Sequence, residues 1–266
     1  MPRARLGGID LYYEVHGKGS PLVLIHGLSL DSSVWINQVS VFSQKYQAIV
    51  FDNRGVGQTA DPHGDYSTEM MADDTAALLK FLNIPEAHVL GFSLGGLIAQ
   101  IIALKYPGLV KSLLLAATAA RLPARAQHLF QVWLRMLSEK VPPDLWFKDI
   151  FPWVYASEFF ENDDNVQATL NLALNHPHPQ SAHGFAGQVA ALTNHDTRAQ
   201  IHQISVPTLV MVGRDDILMP VKCSEEIAAK IPQAKLTILE PGAHNCWLEF
   251  ADLFNQAVLQ FLETIT

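Results

Sequence analysis

A serine, a pair of carboxylates and a histidine, each in a short glycine-bearing turn, are the residues of this chain best placed for covalent catalysis. Ser93 lies in Gly91-Phe92-Ser93-Leu94-Gly95, at the end of the apolar run His88 to Gly91 and just before a helical pattern. A serine hydroxyl is a weak nucleophile at neutral pH. It needs a neighbouring base, and a histidine base needs a third group to hold its tautomer and balance its charge. Both follow in the chain. Gly213-Arg214-Asp215-Asp216 comes after the apolar run Thr208 to Val212, and Glu240-Pro241-Gly242-Ala243-His244 comes after Leu236 to Leu239. At this level either aspartate can be the third group. The glycines two positions before and after Ser93 suit a tight strand-to-helix turn, where those positions crowd one another. The helix expected over Leu94 to Tyr106 directs its positive end at the charge that develops in acyl transfer.

The elements that must carry these turns can be read from the apolar pattern. Leu22 to Ile25, Ala48 to Phe51, His88 to Gly91, Lys111 to Leu115, Thr208 to Val212 and Leu236 to Leu239 read as strands. Most lack polar alternation, which predicts burial on both faces in a parallel sheet. Ser67 to Leu82 has mostly helical spacing, with Ser67 or Thr68 as cap and Pro85 just beyond. Between about Arg121 and Ile204 the strand pattern stops and aromatics gather, among them Trp133, Trp146, Phe147 and Phe151. Amphipathic helices inserted into the sheet domain fit this block, and sheet-like patterning resumes at Val206-Pro207-Thr208.

Composition narrows the partners. Hydrophobic residues make up 49% and charged residues 17%, enough to bury a substantial core. The net charge of -8 repels a phosphate backbone, and no basic run reverses it locally, so nucleic acid is not an expected partner. No apolar run reaches the ~20 residues that a membrane span needs, and no secretory signal is read at the start, so no membrane partner and a cytoplasmic location are expected. Cys223 and Cys246 are too few for a disulfide framework and read as packing residues. His176, His178 and His183 lack the spacing of a metal site, and no glycine-rich turn has a phosphate-cradling pattern.

In combination these features resemble the α/β-hydrolase superfamily, over nearly the whole chain outside the helical insertion. The resemblance implies an α/β fold, a mostly parallel central sheet flanked by helices, with residues 1–120 and 205–266 as core domain and 121–204 as an inserted α-helical cap. The family's triad runs serine, acid, histidine in chain order, as Ser93, an aspartate and His244 do here. The family pattern Gly-x-x-Asp-x-x-x-Pro matches Gly213 to Pro220 when Asp216 is the acid, leaving Asp215 as a structural neighbour. Leu22-Val23-Leu24-Ile25-His26-Gly27-Leu28 resembles the family's oxyanion loop, which implies the backbone amides of Leu28 and Leu94 as donors to the oxyanion. His26 then orders the loop, and Asp52-Asn53-Arg54-Gly55-Val56-Gly57 is a structural turn.

The short His26-Gly27-Leu28 loop is more similar to those of enol-lactonases, aryl esterases and cofactor-free perhydrolases than to the glycine-richer loops of carbon–carbon hydrolases. Ser93, where haloalkane dehalogenases and epoxide hydrolases use aspartate, argues against those activities. The expected function is a serine hydrolase cleaving a small apolar carboxylic ester or lactone through an acyl-enzyme, a cycle that calls on no cofactor and no metal. A carbon–carbon hydrolase of a vinylogous diketone and a non-turnover small-molecule receptor are the alternatives. A homo-oligomer is compatible with the sequence, which leaves the oligomeric state open.

Overall fold

Alternate residues of an extended chain face opposite sides of a sheet, so a strand apolar at every position needs cover on both. The computed structural model, which describes residues 2–265, has this arrangement; the expected outer bounds at residues 1 and 266 lie outside the described residues. The strands are β1 (Arg3–Leu6), β2 (Ile9–His16), β3 (Ser20–Ile25), β4 (Tyr46–Phe51), β5 (Ala87–Phe92), β6 (Val110–Ala116), β7 (Thr208–Gly213) and β8 (Lys235–Leu239). They form one sheet in the order β1-β2-β4-β3-β5-β6-β7-β8. The pairs from β4 to β8 are parallel, and only β1 with β2 and β2 with β4 are antiparallel.

The helices are α1 (Ile36–Phe42), α2 (Thr68–Phe81), α3 (Leu94–Lys105), α4 (Ala124–Ser138), α5 (Pro143–Val154), α6 (Asp163–Leu174), α7 (Ala182–Asn194), α8 (Val221–Lys230), α9 (Cys246–Glu249) and α10 (Ala251–Leu262). Val23, Ile49, Val89, Leu113 and Val210 pack on one face against residues of α2, α3 and α8, such as Leu78, Ile98 and Ile227. Leu22, Ala48, Leu90, Leu114 and Leu209 face the other way, onto Phe42 of α1 and Phe254 and Val258 of α10. The chain thus makes three layers, and the helices α4 to α7 intervene between β6 and β7.

Ser67 is the cap of α2, its side chain accepting from the Met70 amide. Met70 and Phe81 are exposed. Met71, Leu78 and Leu79 take the buried stripe, and Asp74 is buried because Arg54 pairs with it through two hydrogen bonds of 2.7 and 2.8 Å. Among the described residues no helix is long and apolar enough to cross a membrane.

Candidate active site

The turn between β5 and α3 is held so tightly that only particular residues fit it. A Cβ at Gly91 would lie 2.2 Å from the Gly95 carbonyl oxygen, and one at Gly95 would lie 2.0 Å from the Ile25 carbonyl oxygen. The missing side chains let α3 start against the ends of β3 and β5. Between them Ser93 has φ 53° and ψ -116°, a conformation that costs an L-residue about 1–3 kcal/mol. The surroundings hold it there: the Ser93 amide donates to Ala116 O at 2.9 Å, and Thr118 Oγ1 donates to Ser93 O at 2.8 Å.

The loops after β7 and β8 are tied to one another before either reaches the serine. Arg214 N donates to Leu239 O at 3.0 Å and Asp215 N to Gly242 O at 2.8 Å. These bonds bring His244 against Asp216. His244 Nδ1 lies 2.8 Å from Asp216 Oδ2, and His244 Nε2 lies 3.1 Å from Ser93 Oγ. The carboxylate can only accept, so Nδ1 carries the proton and Nε2 is left to take the serine's. Asp216 Oδ1 accepts from the amides of Leu218 and Met219 at 2.9 and 2.7 Å, which fixes the carboxylate plane. All three residues are no more than 4% exposed. Asp215 is exposed and bonds through its backbone, so of the two aspartates the one beside the histidine is Asp216.

Leu28 stands in the loop after β3 and lines the same cavity as Ser93. Leu94 is the first residue of α3, so its amide has no acceptor within the helix. The loop carrying Leu28 is held from two sides. Buried His26 accepts from Asn53 N at 3.0 Å through Nε2 and donates from Nδ1 to Gly27 O at 3.0 Å, and burial pushes this imidazole below its ordinary pKa. It is a neutral cross-link between the turns after β3 and β4. Gln188 of α7 accepts from Ser29 N at 3.1 Å while donating to Arg54 O at 3.1 Å. Asp52 accepts from Gln58 N at 2.7 Å within its own turn and from Ser32 N at 2.8 Å, a further tie to the segment after β3.

Above Ser93 lies a cavity of about 200 Å³. Its walls come from Phe92 and Leu28 below, from Phe130 and Trp133 of α4, and from Trp146 and Phe147 of α5. Tyr155 and Asn245 also line it; the Tyr155 hydroxyl bonds the Asn245 side chain, and burial pushes its pKa up to about 12. The end of α5 is fastened to the histidine loop by Asn245 N donating to Val154 O at 2.8 Å, and to α9 by Ala156 N donating to Glu249 Oε1 at 3.0 Å. Burial raises Glu249 to about 6.

Sequence reasoning did not single out Gln188, Asn245 or Leu218 at the site. Asn245 and Leu218 were within reach as immediate or near neighbours of His244 and Asp216; Gln188 has no local signal. Burial pushes the Cys223 thiol up to about 11 and Cys246 up to about 12, which keeps both thiols protonated. Among the described residues no cluster of three or more His, Cys, Asp or Glu is arranged to hold a metal. His176 and His183 each lie beside a separate carboxylate, Asp31 and Asp61.

A parallel sheet whose strand ends carry Ser93, Asp216 and His244 is the framework of the α/β hydrolases, and the model of the alpha/beta hydrolase fold matches residues 20–251. The chain belongs to that family and is an enzyme of its hydrolase type. Among curated relatives it is 31% identical to a putative carbamate hydrolase RutD of Azorhizobium caulinodans, covering 98% of each chain. It is also 31% identical to 3-oxoadipate enol-lactonase 2 of Acinetobacter baylyi, over 94% of this chain and 92% of that one. Among solved structures, the enol-lactonase of Burkholderia xenovorans superposes with a TM-score of 0.89 at 26% identity, over 98% of this chain and 100% of that one. A thermophilic esterase of Thermogutta terrifontis gives 0.88 at 27% identity, over 100% and 99%.

Proposed function

We propose that this hydrolase cleaves a small apolar carboxylic ester or lactone through an acyl-enzyme on Ser93. The observation that carries the reading is the unbroken hydrogen-bond chain from Ser93 Oγ through His244 to Asp216, at the floor of an apolar cavity. Ser93 Oγ attacks the carbonyl carbon as His244 Nε2 takes its proton, and Asp216 balances the imidazolium. The amides of Leu28 and Leu94 receive the oxyanion. Collapse expels the alcohol, protonated by His244; water activated by the same nitrogen then releases the acid. Residues 121–204 act as a cap that walls off the acyl group from bulk water.

Relatives named as putative carbamate hydrolases place carbamates beside esters in the test, because the same nucleophile reaches the same carbonyl. Rates on a panel of short aryl esters, lactones, simple carbamates and a vinylogous diketone, with Ser93→Ala as control, decide the matter. Ester or lactone turnover abolished in the variant is expected, together with one phosphonate adduct per chain on Ser93 by mass spectrometry. Absence of both turnover and adduct refutes the reading, and faster cleavage of the diketone replaces it with carbon–carbon hydrolysis.

A further inference from the structure

Resting on the ester or lactone reading, we propose that the acyl part of the substrate is an uncharged group built around a single aromatic ring. Three observations of the cavity converge on this. The first is its walls, where the rings of Phe130, Trp133, Trp146, Phe147, Phe151 and Phe185 meet. They already pack edge-on or tilted against each other, with centroids 5.3 Å apart for Phe130 and Trp133 and 5.7 Å for Trp146 and Phe185. Such walls offer both faces and edges of rings, the two surfaces against which another aromatic ring packs best. The second is size. An apolar cavity of about 150 Å³ holds benzene, so about 200 Å³ accepts one ring and a short linker to the carbonyl, whereas a long alkyl chain overruns it into solvent.

The third is charge. Among the described residues that line the cavity there is no Arg, Lys, Asp or Glu. Cations of the surrounding helices are engaged elsewhere: Arg125 donates to Ile217 O and lies over the Trp153 ring, and Lys148 pairs with Asp144. A carboxylate entering this cavity gives up its water and finds no countercharge. The contrast with a relative is direct. The lactone of a dicarboxylic acid such as 3-oxoadipate keeps one free carboxylate, so the similarity to a 3-oxoadipate enol-lactonase does not extend to that substrate. The acyl group is the part bonded to Ser93 Oγ through both halves of the cycle, and the aromatic wall stands beside that atom.

The full chain is tested with four ethyl esters that share one leaving group: phenylacetate, acetate, decanoate and the monoester of adipate. The expected kcat/KM for phenylacetate is at least about tenfold above acetate and decanoate, and at least about 100-fold above adipate. Adipate or decanoate equal to phenylacetate or better overturns the proposal. Tryptophan fluorescence titration of Ser93→Ala with the same esters gives the ranking independently of turnover. If the wild type hydrolyses none of them and forms no phosphonate adduct, the ester reading fails, while the binding ranking still decides the ligand: phenylacetate at least tenfold tighter than adipate upholds the choice, and the reverse order overturns it. A Thr169→Lys variant, at a half-buried position of the wall, is expected to raise kcat/KM for the adipate monoester at least about tenfold; no gain with an unchanged melting temperature counts against the missing countercharge.

Discussion

The loops at the ends of β5, β7 and β8 and the helices α4 to α7 face one cavity but are built on opposite terms. The loops after β7 and β8 are joined to each other by backbone hydrogen bonds, the turn after β5 is bonded to the end of β6, and the side chains they present are almost wholly buried. The helices reach the cavity with rings while turning Val132, Leu145 and Leu172 outward, and α6 buries only Leu170. Proton transfer and oxyanion binding are directional, and a displacement of about 1 Å can cost about 100-fold in rate. Contact with an apolar wall is not directional and tolerates adjustment. Changes in the loops should therefore strike kcat, and changes in the helices should strike the choice of substrate.

The largest effect tests the loop side. Asp216→Asn is expected to lower kcat by about 10⁴, since the imidazole loses its fixed tautomer, whereas Asp215→Asn stays within a few-fold; the reverse ranking in ester kinetics exchanges their roles. Next is Gly95→Ala. Its Cβ has a backbone carbonyl at 2.0 Å, so urea titration should show a loss of more than about 4 kcal/mol or no folded protein. A smaller effect crosses the divide. Gln188 belongs to α7 yet holds the loop after β3 through Ser29 N and the turn after β4 through Arg54 O, so Gln188→Leu should lower kcat about tenfold with KM nearly unchanged, the cost of a donor and an acceptor left unpaired. An unaltered kcat places that loop's rigidity elsewhere.

The smallest effect is on stability. Burial holds His88 and His195 down at about 4, so between the ordinary histidine value and pH 4 the unfolded chain binds more protons than the folded one. The melting temperature is expected to fall as pH drops through that window and to level below it. Glu249, raised to about 6, works in the opposite direction, because the folded state binds its proton more readily. Glu249→Gln should therefore steepen the acid loss measured by thermal melts. A shallower loss removes Glu249 from the balance.

How much of this could be read from the residues depends on whether the signal is local. The inner strands are apolar at nearly every position, so Leu22 to Ile25 and Thr208 to Val212 stand out. β1 and β2 lie at the antiparallel edge, where Arg3, Arg5, Asp10 and Glu14 meet solvent, and their pattern dissolves into that of a loop. Ser93 and His244 carry their own turns with them. Asp216 and Asp215 are adjacent and chemically identical, and only the bond to His244 separates them. The cavity walls come from four helices, three of which bring rings to it, so the cavity's volume and its want of charge exist only after packing. The same is true of Gln188, whose two partners lie more than a hundred residues away.

The fastening of α5 to the segment just after His244, through Val154 O and Ala156 N, couples the cavity wall to the base. A displacement of this helix end must break both bonds or carry the segment from Asn245 to Glu249 with it. The same two bonds that fix one end of the cavity wall thus also fix the segment that carries the base, so a change at Val154 or Ala156 is felt at His244 as well as in the wall.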